Sequence, residues 1–325
     1  MMNKKQKKKI SRIYGIIAAC VIVGFTVYVL LDTFVIVRSY RPVEQNPVVQ
    51  TTTEETPTAA SEQPTKDTLA TTEEVTTEEA TTEEPTEPPV LTVTRIEDYA
   101  YGSHIHIIDL QLTDITELKC AFAYDTYGKN VKQIVRDMSM EHNAWAAING
   151  DFYGARDTGY VLRNGVLYRG DKTSNEQEDA VIYRDGTMDI ICEGDITAQE
   201  LLDNGAWQIL TFGPGLVKDG QIIAKEGASA EQELSSNPRS SIGMIEPNHY
   251  IFFVSDGRTD TDAGLSVYQV AEYMQGLGCV TAYNLDGGGS STMWFENDII
   301  NFPTSWGTWL ERYVSDIVYV EYPEE

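Results

Sequence analysis

Residues 41–90 repeat Thr-Thr-Glu-Glu at Thr71–Glu74, Thr76–Glu79 and Thr81–Glu84, include Pro47, Pro57, Pro64, Pro85, Pro88 and Pro89, and contain almost nothing apolar. Such a stretch cannot bury enough surface to offset its chain entropy. It reads as a disordered, self-repelling linker, placed at residues 38–90, and it divides the chain in two. Residues 91–325 on its far side are enough for one large domain with a full core.

The near side has a different character. Lys4, Lys5, Lys7, Lys8, Lys9 and Arg12 precede a run from Ile13 to Leu31 that carries no charge. This is close to the roughly 20 residues that cross a bilayer. The run exceeds the 7–15 residues usual for a cleaved signal and no clear Ala-x-Ala site follows it. The expected order is a cytoplasmic basic tail at 1–12, a single transmembrane helix at 13–37, the linker, and a domain at 91–325. Lysines before the span, with only Arg38 and Arg41 just after it, put the N-terminus in the cytoplasm and the domain outside the cell membrane.

The net charge of −26 divides into about +6 for residues 1–40, about −10 for 41–90 and about −22 for 91–325. An acidic domain gains no counterion release from nucleic acid, which excludes that partner. Cys20, Cys120, Cys192 and Cys279 show no Cys-x-x-Cys spacing and no zinc framework; at most one disulfide fits in the domain, and buried free thiols are expected.

Asn164-Gly165, Asp185-Gly186 and Asp219-Gly220 each separate two apolar or alternating runs and predict hairpins. Further strands are expected at His104–Leu112, Lys119–Tyr124, Trp145–Asn149, Ser240–Ile245, Tyr250–Ser255, Val280–Leu285, Thr292–Phe295 and Val314–Tyr322. Helices are expected at Asn130–Glu141, Thr197–Asp203 and Ser266–Leu277, the last two behind a Thr or Ser cap. The fold class is therefore α+β: a mixed or antiparallel β-sheet core with flanking helices.

The densest chemistry lies in Asn284-Leu285-Asp286-Gly287-Gly288-Gly289-Ser290-Ser291. Ordering three consecutive glycines is costly. A strand delivers Asp286 to its tip, and Gly287, Gly288 and Gly289 let backbone amides converge on an anion or let a sugar approach the main chain. Ser290 and Ser291 add hydroxyls. The spacing is not that of a dinucleotide-binding loop, and a strand follows it instead of a helix.

Around this element stand Asn149-Gly150-Asp151-Phe152-Tyr153, Phe212-Gly213-Pro214-Gly215, Asn237-Pro238-Arg239, Asp256-Gly257-Arg258, Gly264-Leu265-Ser266 and Arg312-Tyr313-Val314-Ser315. Seven motifs in this order resemble the phosphodiester glycosidases over nearly all of residues 91–325. Two positions depart from the family pattern. The third residue of the Asn149 motif varies there between Asp and Gly, and Asp316 stands where relatives often have Asn.

The resemblance implies hydrolysis of a sugar-1-phosphodiester in a glycan or envelope polymer, with release of the sugar. The residues suit that reaction. Phosphate is a weakly basic leaving group, so anion stabilisation by Arg239, Arg258 and the glycine amides matters more than a general acid. The sugar develops oxocarbenium character, which a carboxylate meets as nucleophile or base. Asp286 is the first candidate, with Asp256 and Asp151 behind it. Asn149, at a strand tip, would serve a sugar hydroxyl or phosphate oxygen. A non-catalytic carbohydrate-binding or exopolysaccharide-assembly module, or a sugar transferase, would use the same pocket.

No cofactor is implied and the metal requirement stays open. His104 and His106 share one strand face, and Asp260 with Asp262 offers oxygen ligands to Ca²⁺ without the spacing of an EF-hand.

Overall fold

The computed structural model describes residues 17–31, 35–42, 90–225, 236–305 and 307–323. Most of the expected linker lies outside the described residues, as do residues 1–16 and Trp306. Residues 17–31 are helical and exposed throughout. Among the described residues no helix is long and apolar enough to cross a membrane. The expected helix at 13–37 needs correction at its C-terminal end. Residues 35–37 are not helical, and Arg38–Ser39 form a short strand paired with Gly128–Lys129 instead of opening a linker.

Among the described residues one seven-stranded and two five-stranded sheets make up the domain. The larger runs in the order Gln221–Ile222, Gly215–Lys218, Thr281–Asn284, Arg239–Glu246, His249–Ser255, Ser103–Gln111 and Thr92–Ala100. One five-stranded sheet orders Asp298–Ile299, Met293–Phe295, Ala144–Asn149, Asp316–Glu321 and Lys119–Phe122. The other orders Met188–Cys192, Glu178–Tyr183, Ala206–Leu210, Val161–Arg163 and Val166–Arg169. Every pairing within these three sheets is antiparallel, which decides between the two arrangements the sequence left open.

Burial explains why the central strands read as continuous apolar runs. In His249–Ser255, Phe252 and Val254 face a core shared by all three sheets, together with Ile148, Val318, Ile182 and Leu210. Ile251 and Phe253 face the other way, onto Val267, Val270, Ala271 and Met274 of the helix Val267–Gly276. Side chains alternate between faces, so a strand covered on both sides is apolar at every position. The same scheme repeats. Val135 and Met138 of the helix Val135–Glu141 cover the outer face of the Ala144–Asn149 sheet, and Ala198 and Leu201 of Ala198–Asp203 cover the third. Emptying one such site, as in Phe253→Ala, costs about 3–5 kcal/mol.

Thr197 with Glu200, and Ser266 with Gln269, form reciprocal capping boxes at their helix starts. The first α-helix after residue 90 begins at Val135, five residues later than the sequence suggests. Asn130 is left-handed (φ 59°), and Gln133 exchanges main-chain hydrogen bonds with Val314, so this stretch is spent on the sheet edge.

Candidate functional site

Strand ends of two sheets meet at the glycine loop. Thr281–Asn284 lies beside Arg239–Glu246, and the Leu285 amide still donates to Ser240 O at 2.8 Å before the chain leaves the sheet at Asp286. Gly288 N then donates to Pro238 O at 2.8 Å, and residues Gly288–Ser290 close a tight helical turn. From the neighbouring sheet comes Asn149, fully buried at the end of Ala144–Asn149. Its amide donates to Asp286 O at 2.7 Å and to Gly150 O at 3.2 Å, while its oxygen accepts from Ser240 Oγ at 2.8 Å and Thr292 N at 3.2 Å. Both ends of the side chain are thus turned inward to fasten the loop, where the sequence had suggested contact with a ligand.

The glycines admit two arginines. A Cβ on Gly289 would overlap Arg312 Cδ, and one on Gly288, which has φ 63°, would lie 3.1 Å from Arg258 Nη2. Arg258 is fixed by Nε and Nη2 on Asn237 Oδ1, at 2.9 and 2.7 Å. Beside them opens a cavity of about 800 Å³ lined by Arg258, Ser305, Gly307 and Arg312.

Asp286 is half-buried. Burial pushes its carboxyl up to about 6, a hydrogen bond from Ser290 and the charges of Arg312 and Arg156 pull it down, and Asp151 pushes it up. Lys132 belongs to the same neighbourhood. Burial and the like charge of Arg312 hold its ammonium below the usual lysine range, and Asp286 acts in the opposite sense. The site is a carboxyl poised near neutrality within a set of cations, in a domain that is otherwise strongly acidic. Such tuning is characteristic of catalytic acids and bases.

Beneath Asp286 lies a buried cluster. Arg163 Nη2 contacts Asp151 Oδ2 and Asp316 Oδ2, both at 2.8 Å, and its Nε reaches Asp316 Oδ2 at 2.9 Å. Asp151 also accepts from Tyr153 N at 2.9 Å and Thr211 N at 2.7 Å. It is therefore occupied by the fold. Asp316 rises well above the usual carboxylate range, first through burial, with Arg163 pulling back and Asp151 and Asp286 adding to the rise. Its Oδ1 has no hydrogen-bond partner.

The remaining sequence candidates divide. Ser290 touches Asp286, and Ser291 is fully buried with its hydroxyl unpartnered. Arg239 is buried beneath the loop, with Nε on Leu265 O at 2.9 Å. Asp256 lies elsewhere: Oδ2 pairs with His106 Nε2 at 3.0 Å, and Oδ1 accepts from Phe302 N at 2.8 Å. It faces a different cavity, shared with His104 and Asp262.

His104, Asp256 and Asp262 place ligand-type atoms within 4.8 Å of one another. Asp260 is not part of this group. Asp262 Oδ1 already accepts from His104 N and Nδ1 at 2.8 and 2.6 Å, and its Oδ2 from Thr259 and Thr261 hydroxyls at 3.1 and 2.6 Å. In this arrangement the carboxylate oxygens of Asp256 and Asp262 accept hydrogen bonds from the protein itself.

Sequence reasoning did not select Lys132, Arg156 or Arg312. Arg312 was legible, since it opens a recognised motif. Arg156 and Lys132 sit in no pattern.

The sequence profile of the phosphodiester glycosidase family matches residues 142–321, a span that holds Asn149, Asp151, Arg163, Asp286, Arg312 and Asp316. The chain belongs to this family. Its relatives include the N-acetylglucosamine-1-phosphodiester alpha-N-acetylglucosaminidase of Mus musculus, 28% identical over 253 residues, 71% of this chain and 48% of the mouse protein. The SPbeta prophage-derived uncharacterized protein YomE of Bacillus subtilis (strain 168) is 28% identical over 205 residues, 61% of this chain and 31% of that protein. The chain thus spans less than half the length of these two relatives. The catalytic domain of the zebrafish N-acetylglucosamine-1-phosphodiester alpha-N-acetylglucosaminidase, described as auto-inhibited by its pro-peptide, shares the fold at a TM-score of 0.56 and 19% identity. The match covers 74% of this chain and 86% of that one.

Proposed function

We propose that the domain hydrolyses glycosyl phosphodiesters, releasing the sugar and leaving a phosphate monoester on the aglycone. The observation that carries this reading is the Asp286 carboxyl, raised to about 6 within reach of the charges of Arg312 and Arg156 and beside Lys132. A carboxylate next to the anomeric carbon acts as nucleophile or as base for water while the C–O bond to phosphate breaks. The departing phosphate gains charge as it leaves. Arg258, held by Asn237, and the amides of Gly287 and Gly289 would meet that charge with Arg312 beside them, which limits the reorganisation needed at the moment of reaction. Asn149 positions the Asp286 main chain, and the Asp151–Arg163–Asp316 cluster supports the floor.

The uncharged run Ile13–Leu31 and the lysines before it support a membrane anchor with the domain outside the cell, acting on glycan or envelope polymer. Protease added to intact cells should then remove residues 91–325 while the basic tail stays protected; protection of the domain would contradict this placement. The activity itself is tested by sugar release from a nitrophenyl-phosphate diester of N-acetylglucosamine. Binding without release would favour a carbohydrate-binding module.

A further inference from the structure

The segment that follows the N-terminal helix forms one wall of a second cavity. Arg38–Ser39 pairs antiparallel with Gly128–Lys129, Tyr40 N donates to Tyr127 O at 2.8 Å, and Asn130 Nδ2 donates to Ile36 O at 2.8 Å. The Tyr40 and Tyr127 rings lie 5.8 Å apart. This docking depends on the absence of a side chain at residue 128, because a Cβ there would overlap the Arg38 carbonyl and lie 2.8 Å from Ser39 Cα.

Between this segment and the domain is a space of about 350 Å³, lined among others by Tyr40, Arg41, Tyr127, Arg156, Tyr168 and Arg169. Tyr127 and Tyr168 pack at 5.0 Å and form an aromatic wall. Arg169 is locked by Nε on Gly159 O at 2.6 Å and Nη1 on Arg156 O at 2.7 Å, so it also fixes the loop that carries Arg156. Two carboxylates, Asp157 and Asp171, complete the lining, and Asp157 is neutralised by Lys129 at 2.8 Å. Among the described residues three arginines and two carboxylates line the space, one of the carboxylates paired with Lys129, so its lining is positive in a chain of net charge −26. Arg156 links this cavity to Asp286, whose carboxyl its charge lowers.

We propose that this cavity is a second subsite, which holds the neighbouring unit of a phosphodiester-linked glycan. The sugar ring packs on the exposed Tyr40 beside Tyr168, and its phosphate is met by Arg41. Aromatic faces accept the C–H side of a sugar ring, and guanidinium groups bind phosphate through paired hydrogen bonds. The inference rests on the hydrolase reading above and deepens it. The substrate is a polymer of at least two linked sugar-phosphate units, and residues 38–41 contribute to its recognition.

The test uses the full chain and two probes, the nitrophenyl-phosphate diester of N-acetylglucosamine and an oligomer of N-acetylglucosamine units joined by phosphodiesters. Arg41→Ala and Tyr40→Ala lie outside the catalytic machinery. Each should raise KM for the oligomer about tenfold with little change in kcat, and leave the short probe within about twofold, the signature of lost uniform binding at one subsite. Equal effects on both probes, or none on either, would overturn the proposal. Calorimetric titration of the oligomer into Asp286→Asn, with and without Arg41→Ala, separates the two readings. Oligomer binding that weakens about tenfold on loss of Arg41, where wild-type chain releases no sugar, sinks only the hydrolase reading. Oligomer affinity that is absent, or unchanged by Arg41→Ala, removes the subsite.

Discussion

The side-chain amide of Asn149 donates to the main-chain carbonyl of Asp286 at 2.7 Å, tying the end of one sheet to the loop that leaves another. Ser240 and Thr292 depend on the same side chain. Asn149→Ala would leave several buried groups unpaired, each worth about 1–3 kcal/mol. The expected outcome is a denaturant midpoint lowered by about 2–4 kcal/mol of stability, together with a loss of kcat as Asp286 drifts. Unchanged stability would show that water replaces the amide.

The two carboxylates on Arg163 are unequal in consequence. Asp316 titrates higher in the folded state than its unfolded value of about 3.9, so its ionisation weakens the fold. That contribution is fully present below the unfolded value and is lost as pH rises through the folded one. Asp316→Asn should therefore flatten the pH dependence of stability over this window. Arg163→Met strands two buried carboxylates and should cost about 3–5 kcal/mol. Melts across pH 4–8 check both.

Much of this fold was legible because its signals are local. Asn164-Gly165, Asp185-Gly186 and Asp219-Gly220 join paired strands, and the Thr197 and Ser266 caps sit where helices begin. Thr92–Ala100 was not legible: most of its residues are exposed, and its hairpin turns at Tyr101-Gly102, with φ 53° and 74°, which lacks the usual Asn-Gly or Asp-Gly signature. Within the site, Asp286 and its glycines announced themselves through the cost of ordering them. The roles of Asn149, Asp151 and Asp256 did not, because polar residues at strand tips serve the fold or a ligand with the same chemistry, and only their partners distinguish the two.

Burial raises the Asp286 carboxyl, and Arg312, packed against Gly289, pulls it back down. With the carboxyl at about 6 and needed in its ionised form, activity should rise with pH through that value. Arg312→Ala removes a charge that lowers the carboxyl, so the rising limb of kcat should move to higher pH. A limb that stays in place would detach Arg312 from Asp286.

Gly289→Ala tests the close approach itself. The added methyl overlaps Arg312 Cδ and lies 3.2 Å from Thr304 O, and because the arginine side chain yields more readily than the backbone, KM should rise as the guanidinium is displaced while the loss of stability stays small. A large loss of stability instead would mean that the loop backbone, and not the arginine, yields.

Steady-state sugar release by Asp286→Asn from the nitrophenyl-phosphate diester of N-acetylglucosamine, with a thermal melt to confirm folding, tests the central claim most directly. The expected result is a kcat lower by about two to four orders of magnitude with substrate binding largely retained. A folded variant with near-normal kcat would contradict the account and remove Asp286 from the chemistry.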